Sequence, residues 1–185
     1  VTGVTPTITE IDKEYAVIHM SYVVESMNDK KSHYYQVDEY YNVTYNRSSE
    51  TVKLLAFDRY QESFFDSGYI SKDRNSISMG VTNEPAEYVT SEDYGILAFV
   101  RLGQLWMYKY YDSSLTNIFS YPQDSFSDAR TLNTNLDINI ADMDADGNIY
   151  FVVYGYMNRG EHEGKNGMSL YYYSAEDMTT QELFF

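Results

Sequence analysis

The sharpest ligand-like pattern in this chain is Asp142-Met143-Asp144-Ala145-Asp146-Gly147-Asn148. Alternate aspartates in a tight loop can converge on one hard cation, with Gly147 allowing the sharp turn and Asn148 adding an oxygen. That is the opening half of a calcium loop. An EF-hand beginning at Asp142 needs a bidentate glutamate where Val153 stands, and the calcium loop of integrin-like repeats wants an acid where Tyr150 stands. The sequence also runs on into a strand rather than a helix. Two readings follow. In one, calcium is held by Asp142, Asp144, Asp146 and Asn148 and stiffens the loop without doing chemistry; in the other, Asp-Gly and Asn supply a β-turn and the remaining aspartates face water.

The second group is the run from Tyr156 to Gly167, where Arg159, Glu161, His162 and Glu163 sit among three glycines. The loop is longer than a hairpin needs, and long loops between strands are where binding residues tend to lie. His162-Glu163 does not extend into a zinc-protease motif, because the second histidine position falls on Asn166 and the setting is not helical. The bland reading is an exposed polar hairpin. His19 and His33 fall in or beside expected strands without a sequence-local partner. No nucleophile elbow, phosphate loop or dinucleotide fingerprint occurs. A glycosidase pair can be drawn from any two of the 28 acidic residues, so no pair is singled out.

Composition narrows the classes. A net charge of -15 repels a phosphate backbone or an anionic membrane surface, which argues against nucleic acid as partner. The absence of cysteine removes disulfides, thiolate metal sites and cysteine nucleophiles. No stretch approaches the roughly 18 apolar residues that span a bilayer. The opening Val1-Thr2-Gly3-Val4-Thr5-Pro6 suggests a segment of a longer protein, with neighbouring domains in the same chain. The 21 tyrosines favour half-buried strands, since the ring packs while the hydroxyl reaches water. Pairs such as Tyr34-Tyr35, Tyr40-Tyr41 and Tyr110-Tyr111, and the run Tyr171-Tyr172-Tyr173, send rings to both faces of a strand. One set can pack a core while the other packs between sheets, stacks on sugar rings or anchors a protein.

These groups must be positioned by strands. Alternating and β-branched runs predict strands at 15–25, 34–45, 51–57, 76–82, 96–101, 104–111, 115–120, 137–141, 148–156, 168–173 and 180–184. Short helices are expected at 58–65 and around 125–130, where alternation breaks. Three segments align with one another: a tyrosine-ended strand, a small polar turn and a strand finishing on large apolar residues. Their turns at Asn46, Asp112 and Ser174 recur every 62 to 66 residues. Repeat units of three or four antiparallel strands are therefore expected at about 14–60, 76–122 and 136–185, within a single all-β domain.

Gly103-Gln104-Leu105-Trp106-Met107-Tyr108 and Asp146-Gly147-Asn148-Ile149-Tyr150-Phe151-Val152 resemble strand openings of bacterial β-propeller repeats. The chain as a whole resembles uncharacterised surface-anchored proteins of Gram-positive bacteria. That resemblance implies an extracytoplasmic, cell-surface setting and blade-like units in a partial or atypical propeller. Three units are fewer than the roughly four to eight blades of a closed ring, so a β-sandwich is the alternative. The functional expectation is a non-catalytic binding or structural module presenting loops to a protein or glycan. Its rival is a carbohydrate-active domain using acids beside aromatic platforms.

Overall fold

A computed structural model describes residues 4, 6–28, 30–120, 136–157 and 160–185. The chain divides into two compact units: one runs to Phe64 and takes in Val81–Asn83, and the other is built from Phe65–Gly80 and Glu84–Phe185. Among the described residues the secondary structure is β apart from one 3₁₀ turn at Ser67–Tyr69, and three four-stranded antiparallel sheets form, each with its strands in chain order. No closed barrel is formed among these residues.

The first unit is one sheet of β1 (Thr7–Ile11), β2 (Tyr15–Asn28), β3 (Lys31–Asn46) and β4 (Thr51–Ser63). Strand alternation sorts its two faces. Register places Ile18, Tyr41 and Phe57 in one row, and Tyr22, Val37 and Gln61 in another, on an apolar face centred on the fully buried Val37. Glu39 is buried on that face, where it accepts from the Tyr41 hydroxyl at 2.9 Å and faces Arg59 Nε at 3.7 Å. The carboxylate pushes the Tyr41 phenol above its ordinary range, chiefly through that hydrogen bond. The opposite face is polar, with rows His19, Tyr40, Asp58 and Ser21, Asp38, Tyr60. Much of the apolar face remains open, since Ile11, Val52 and Leu54 are exposed. Val81–Asn83 returns to the sheet, Val81 accepting from Ser63 N at 2.8 Å and donating to Ser63 Oγ at 3.0 Å.

The second unit carries the other two sheets: β5 (Tyr88–Thr90), β6 (Ile96–Arg101), β7 (Gln104–Lys109) and β8 (Ser114–Ser120), then β9 (Leu136–Met143), β10 (Ile149–Tyr156), β11 (Asn166–Ser174) and β12 (Thr179–Phe184). Leu102 and Gly103 turn the β6–β7 hairpin with φ values of 46° and 68°, the primed geometry that suits strand twist. The sheets share one core: Ile96, Ala98, Leu105 and Met107 pack with Ile138, Ile149 and Phe151. First strand lies beside first strand and last beside last. Two polar links seal these edges. Ile140 N donates to Glu87 Oε1 at 2.7 Å, and Thr180 Oγ1 donates to the Ile118 carbonyl at 2.9 Å. The other face of β5–β8 is covered by Phe65, whose ring lies 4.9 Å from Phe99 and 5.6 Å from Trp106. The other face of β9–β12 leaves Tyr150, Tyr154, Met168 and Phe184 exposed.

The aligned turns occupy the same place in every sheet, joining third strand to fourth. Each ends on a left-handed residue: Glu50 at φ 51°, Ser113 at 53° and Met178 at 52°. None is glycine, so each carries a strain of about 1–2 kcal/mol. Ser113→Gly is expected to raise the melting midpoint, because relieved strain exceeds the added chain entropy of about 0.5–1 kcal/mol. Ser113→Val should lower it. Thermal unfolding followed by circular dichroism checks both.

Several expectations are corrected here. The helix expected at 58–65 is strand as far as Ser63, because β4 is an edge strand whose exposed residues have no burial to enforce alternation. The strand expected at 76–82 forms only an isolated bridge between Ile77 and Ile70, its neighbours being spent on the turn from Ser71 to Ser76. Strands β1 and β5 are additional. The helix expected around 125–130 lies outside the described residues.

Candidate functional site

The aspartate loop joins β9 to β10. Asp144 closes it from within: Oδ1 accepts from Asp146 N at 3.0 Å and Asn148 N at 2.9 Å, and Oδ2 accepts from Asn148 Nδ2 at 2.8 Å. These bonds, led by the one from the Asn148 amide, hold the Asp144 carboxyl below its usual range. Asn148 Oδ1 is turned away to accept from Ala175 N at 2.8 Å, tying the loop to the β11–β12 turn. Asp142 Oδ1 takes the Met143 N–H at 3.0 Å, and Asp146 is exposed. Gly147 serves twice, since its φ of 89° is left-handed and a Cβ there would come within 3.1 Å of Ile96 Cδ1 and 3.2 Å of Met107 Sδ. The Asp144 oxygens are thus engaged in closing the turn, and among the described residues no three His, Cys, Asp or Glu side chains converge as metal ligands.

Stability and the response to calcium separate the two readings of this loop. Asp144→Ala is expected to lower stability by about 1–2 kcal/mol, the loss of a turn-capping carboxylate with three acceptor bonds. Millimolar calcium is expected to leave the melting midpoint of the unaltered chain in place. A rise with calcium that a chelator reverses would show the carboxylates rearranging onto a cation.

In the second loop, Arg159 lies outside the described residues, Glu161 and Glu163 are exposed, and His162 turns inward. His162 Nε2 lies 2.8 Å from Glu182 Oε1, within hydrogen-bond reach of the carboxylate. The imidazole stacks on Phe185, centroids 4.0 Å apart at 8°, with Lys165 Nζ 5.2 Å from that ring's centroid. Glu182 also accepts from Ser169 Oγ at 3.2 Å and from the Tyr171 hydroxyl at 3.1 Å. Of the expected loop residues, His162 joins a cluster whose other members, Glu182, Ser169 and Tyr171, come from β11 and β12. Ser169 bonds the glutamate rather than the imidazole, so no nucleophile-base relay is present in this group. The arrangement fastens a loop to an edge strand.

A third group carries no site motif in the sequence. On the polar face of the first sheet, His19 Nε2 lies 2.8 Å from Asp38 Oδ1 and its ring stacks on Tyr40 at 4.5 Å and 11°. Tyr60 meets Tyr40 edge-on at 6.0 Å and 74°. Burial, with the charges of Asp38 and Tyr60 nearby, raises the Tyr40 phenol. Gln36 Nε2 donates to Ser21 Oγ at 2.6 Å beside them. The sequence signal was the period-two pattern of Tyr40 with Asp38, but His19 enters only through the β2–β3 register. His33 lies on β3 opposite Ser26, away from this group.

Fold and site together define an all-β chain of four-stranded antiparallel meanders bearing aromatic and acidic surface groups. Comparison with models of known families, with curated proteins and with solved structures finds no match for it.

Proposed function

We propose that the chain is a non-catalytic, extracytoplasmic module of blade-like repeats that presents its surface to a protein or glycan partner. The observation that carries this reading is the like-on-like stack in the second unit, where first strand adjoins first and last adjoins last across a continuous core. Successive propeller blades stack in that manner. The open apolar faces on β1–β4 and β9–β12 suit a stack with further members or a partner surface. The cell-surface setting rests on the resemblance to surface-anchored proteins. In this reading the aspartate loop is a structural turn, with calcium as its alternative.

The competing carbohydrate-active reading is favoured by one observation, the carboxylates of Asp38 and Asp58 beside Tyr40 and Tyr60. Incubation with polymeric glycans and aryl glycosides separates the two. No release of reducing ends or of the aryl group is expected. Turnover above background that disappears in Asp38→Asn would overturn the non-catalytic proposal.

A further inference from the structure

We infer that the polar face of the β1–β4 sheet is a binding site for a neutral oligosaccharide, with Tyr60 and Tyr40 as the platform and Asp38 and Asp58 as hydroxyl acceptors. This deepens the binding-module reading and rests on it. The solvent-facing side of an open antiparallel sheet ordinarily carries separate polar side chains. Here the middle of that face holds an aromatic group locked in place. His19 is fixed by Asp38, Tyr40 is fixed by stacking on His19, and Tyr60 stands across Tyr40 at a steep angle. Two of the rings are therefore oriented before any ligand arrives, which reduces the ordering cost of binding.

The chemistry around the rings selects the ligand. A sugar presents an apolar C–H surface on one side and hydroxyl donors around its rim. Tyr60, 43% exposed, offers an edge-strand ring to the first. Asp38 and Asp58 flank Tyr40 along and across the strands, where hydroxyl donors can reach carboxylate oxygens. Ser21 and Gln36 extend the hydrogen-bonding surface. Ile18, Met20 and Leu54 belong to the opposite face, so a protein partner seeking an aliphatic contact finds it there rather than here. The net charge of -15 with two local carboxylates disfavours uronate or sulfated chains. The long strands of this sheet, 14 residues in β2 and 16 in β3, give it the length to take an extended chain of several sugar units.

The test is titration of the full chain with cellopentaose and chitopentaose, followed by calorimetry and by amide chemical shifts. At least one is expected to bind, with shifts centred on 19–21, 36–42 and 58–60. Tyr60→Ala should weaken binding about tenfold, equivalent to about 1.4 kcal/mol. Tyr60→Phe, which keeps the ring, should bind like the unaltered chain and guards against loss through misfolding. Tyr88→Ala, which removes an exposed tyrosine from β5 on another sheet, should leave affinity unchanged. No binding of either sugar at millimolar concentration, shifts mapping elsewhere, or equal affinity in Tyr60→Ala would overturn the site. Capture of a protein on this face with no sugar bound would overturn it as well. Failure to bind sugar leaves the non-catalytic reading intact, whereas release of reducing ends would overturn that reading while the site stands.

Discussion

Phe151→Ala is expected to destabilise the second unit by about 3–5 kcal/mol. Phe151 is fully buried, and its ring lies 5.4 Å from Phe119 and stacks on Tyr171 at 5.2 Å and 11°. Those rings belong to β8 and β11, so one side chain on β10 joins both sheets. Truncation removes apolar surface and opens a cavity that rigid strands cannot collapse to fill. Trp106 is the chain's single tryptophan and packs in the same unit against Phe65, so denaturant unfolding followed by its fluorescence reads the loss directly. Phe151→Leu should recover most of the stability. A loss under about 1 kcal/mol for alanine would mean that the two sheets do not share one core.

The second large effect is expected from Glu182→Ala, at about 2–3 kcal/mol. Glu182 is the common acceptor for His162, Ser169 and Tyr171, and Ser169 is 1% exposed, so its hydroxyl cannot simply turn to water. Leaving buried donors unpaired costs more than the bonds themselves contribute. Glu182→Gln keeps an acceptor oxygen and should cost about half as much, since bonds to an ionised group are the stronger kind. Chemical denaturation measures both variants. Equal stability of Glu182→Ala and the unaltered chain would show that the cluster does not fasten the loop. Faster hydrogen exchange at Met157 and Lys165, whose backbone groups close that loop, is the local signature expected.

The legible parts of this chain are those where local chemistry decides the outcome. The turns at Asn46, Asp112 and Ser174 could be aligned because each needs short polar residues between a tyrosine-bearing strand and an apolar one, and all three join third and fourth strands. Central strands are plain because burial imposes a pattern on them: β6 is buried or half-buried along its whole length and reads as an apolar run, while β10 alternates buried Ile149, Phe151 and Val153 with tyrosines that reach solvent. Edge strands were not. Exposed β1 and three-residue β5 carry little pattern, and in the second half of β4 Asp58, Arg59 and Glu62 interrupt alternation without penalty at an edge, so that its sequence resembles a helix. Conversely, Ile77, Met79 and Val81 alternate well, yet only isolated backbone bonds form there.

Sites followed the same division. The self-closing of the aspartate loop was half-visible, since Asp-Gly-Asn chemistry suits a turn, but the contact of Gly147 with Ile96 and Met107 joins positions far apart in sequence. His162 attracted notice through its own type, whereas Glu182 sits 20 residues on, in a strand whose register alone brings it near. Likewise His19 and Asp38 are 19 residues apart and meet because a long hairpin pairs Ser21 with Asp38.

The chain-order pairing within every sheet bears on how the protein is made. Among the described residues each strand pairs within its sheet only with its neighbours in sequence, so none of these strands has to wait for a distant one before it can pair. Contacts of short sequence separation form quickly, and a nascent chain can complete one sheet while the next is still being synthesised. Among the described residues no strand is borrowed between sheets, so the pairing of one sheet is complete without any strand of another.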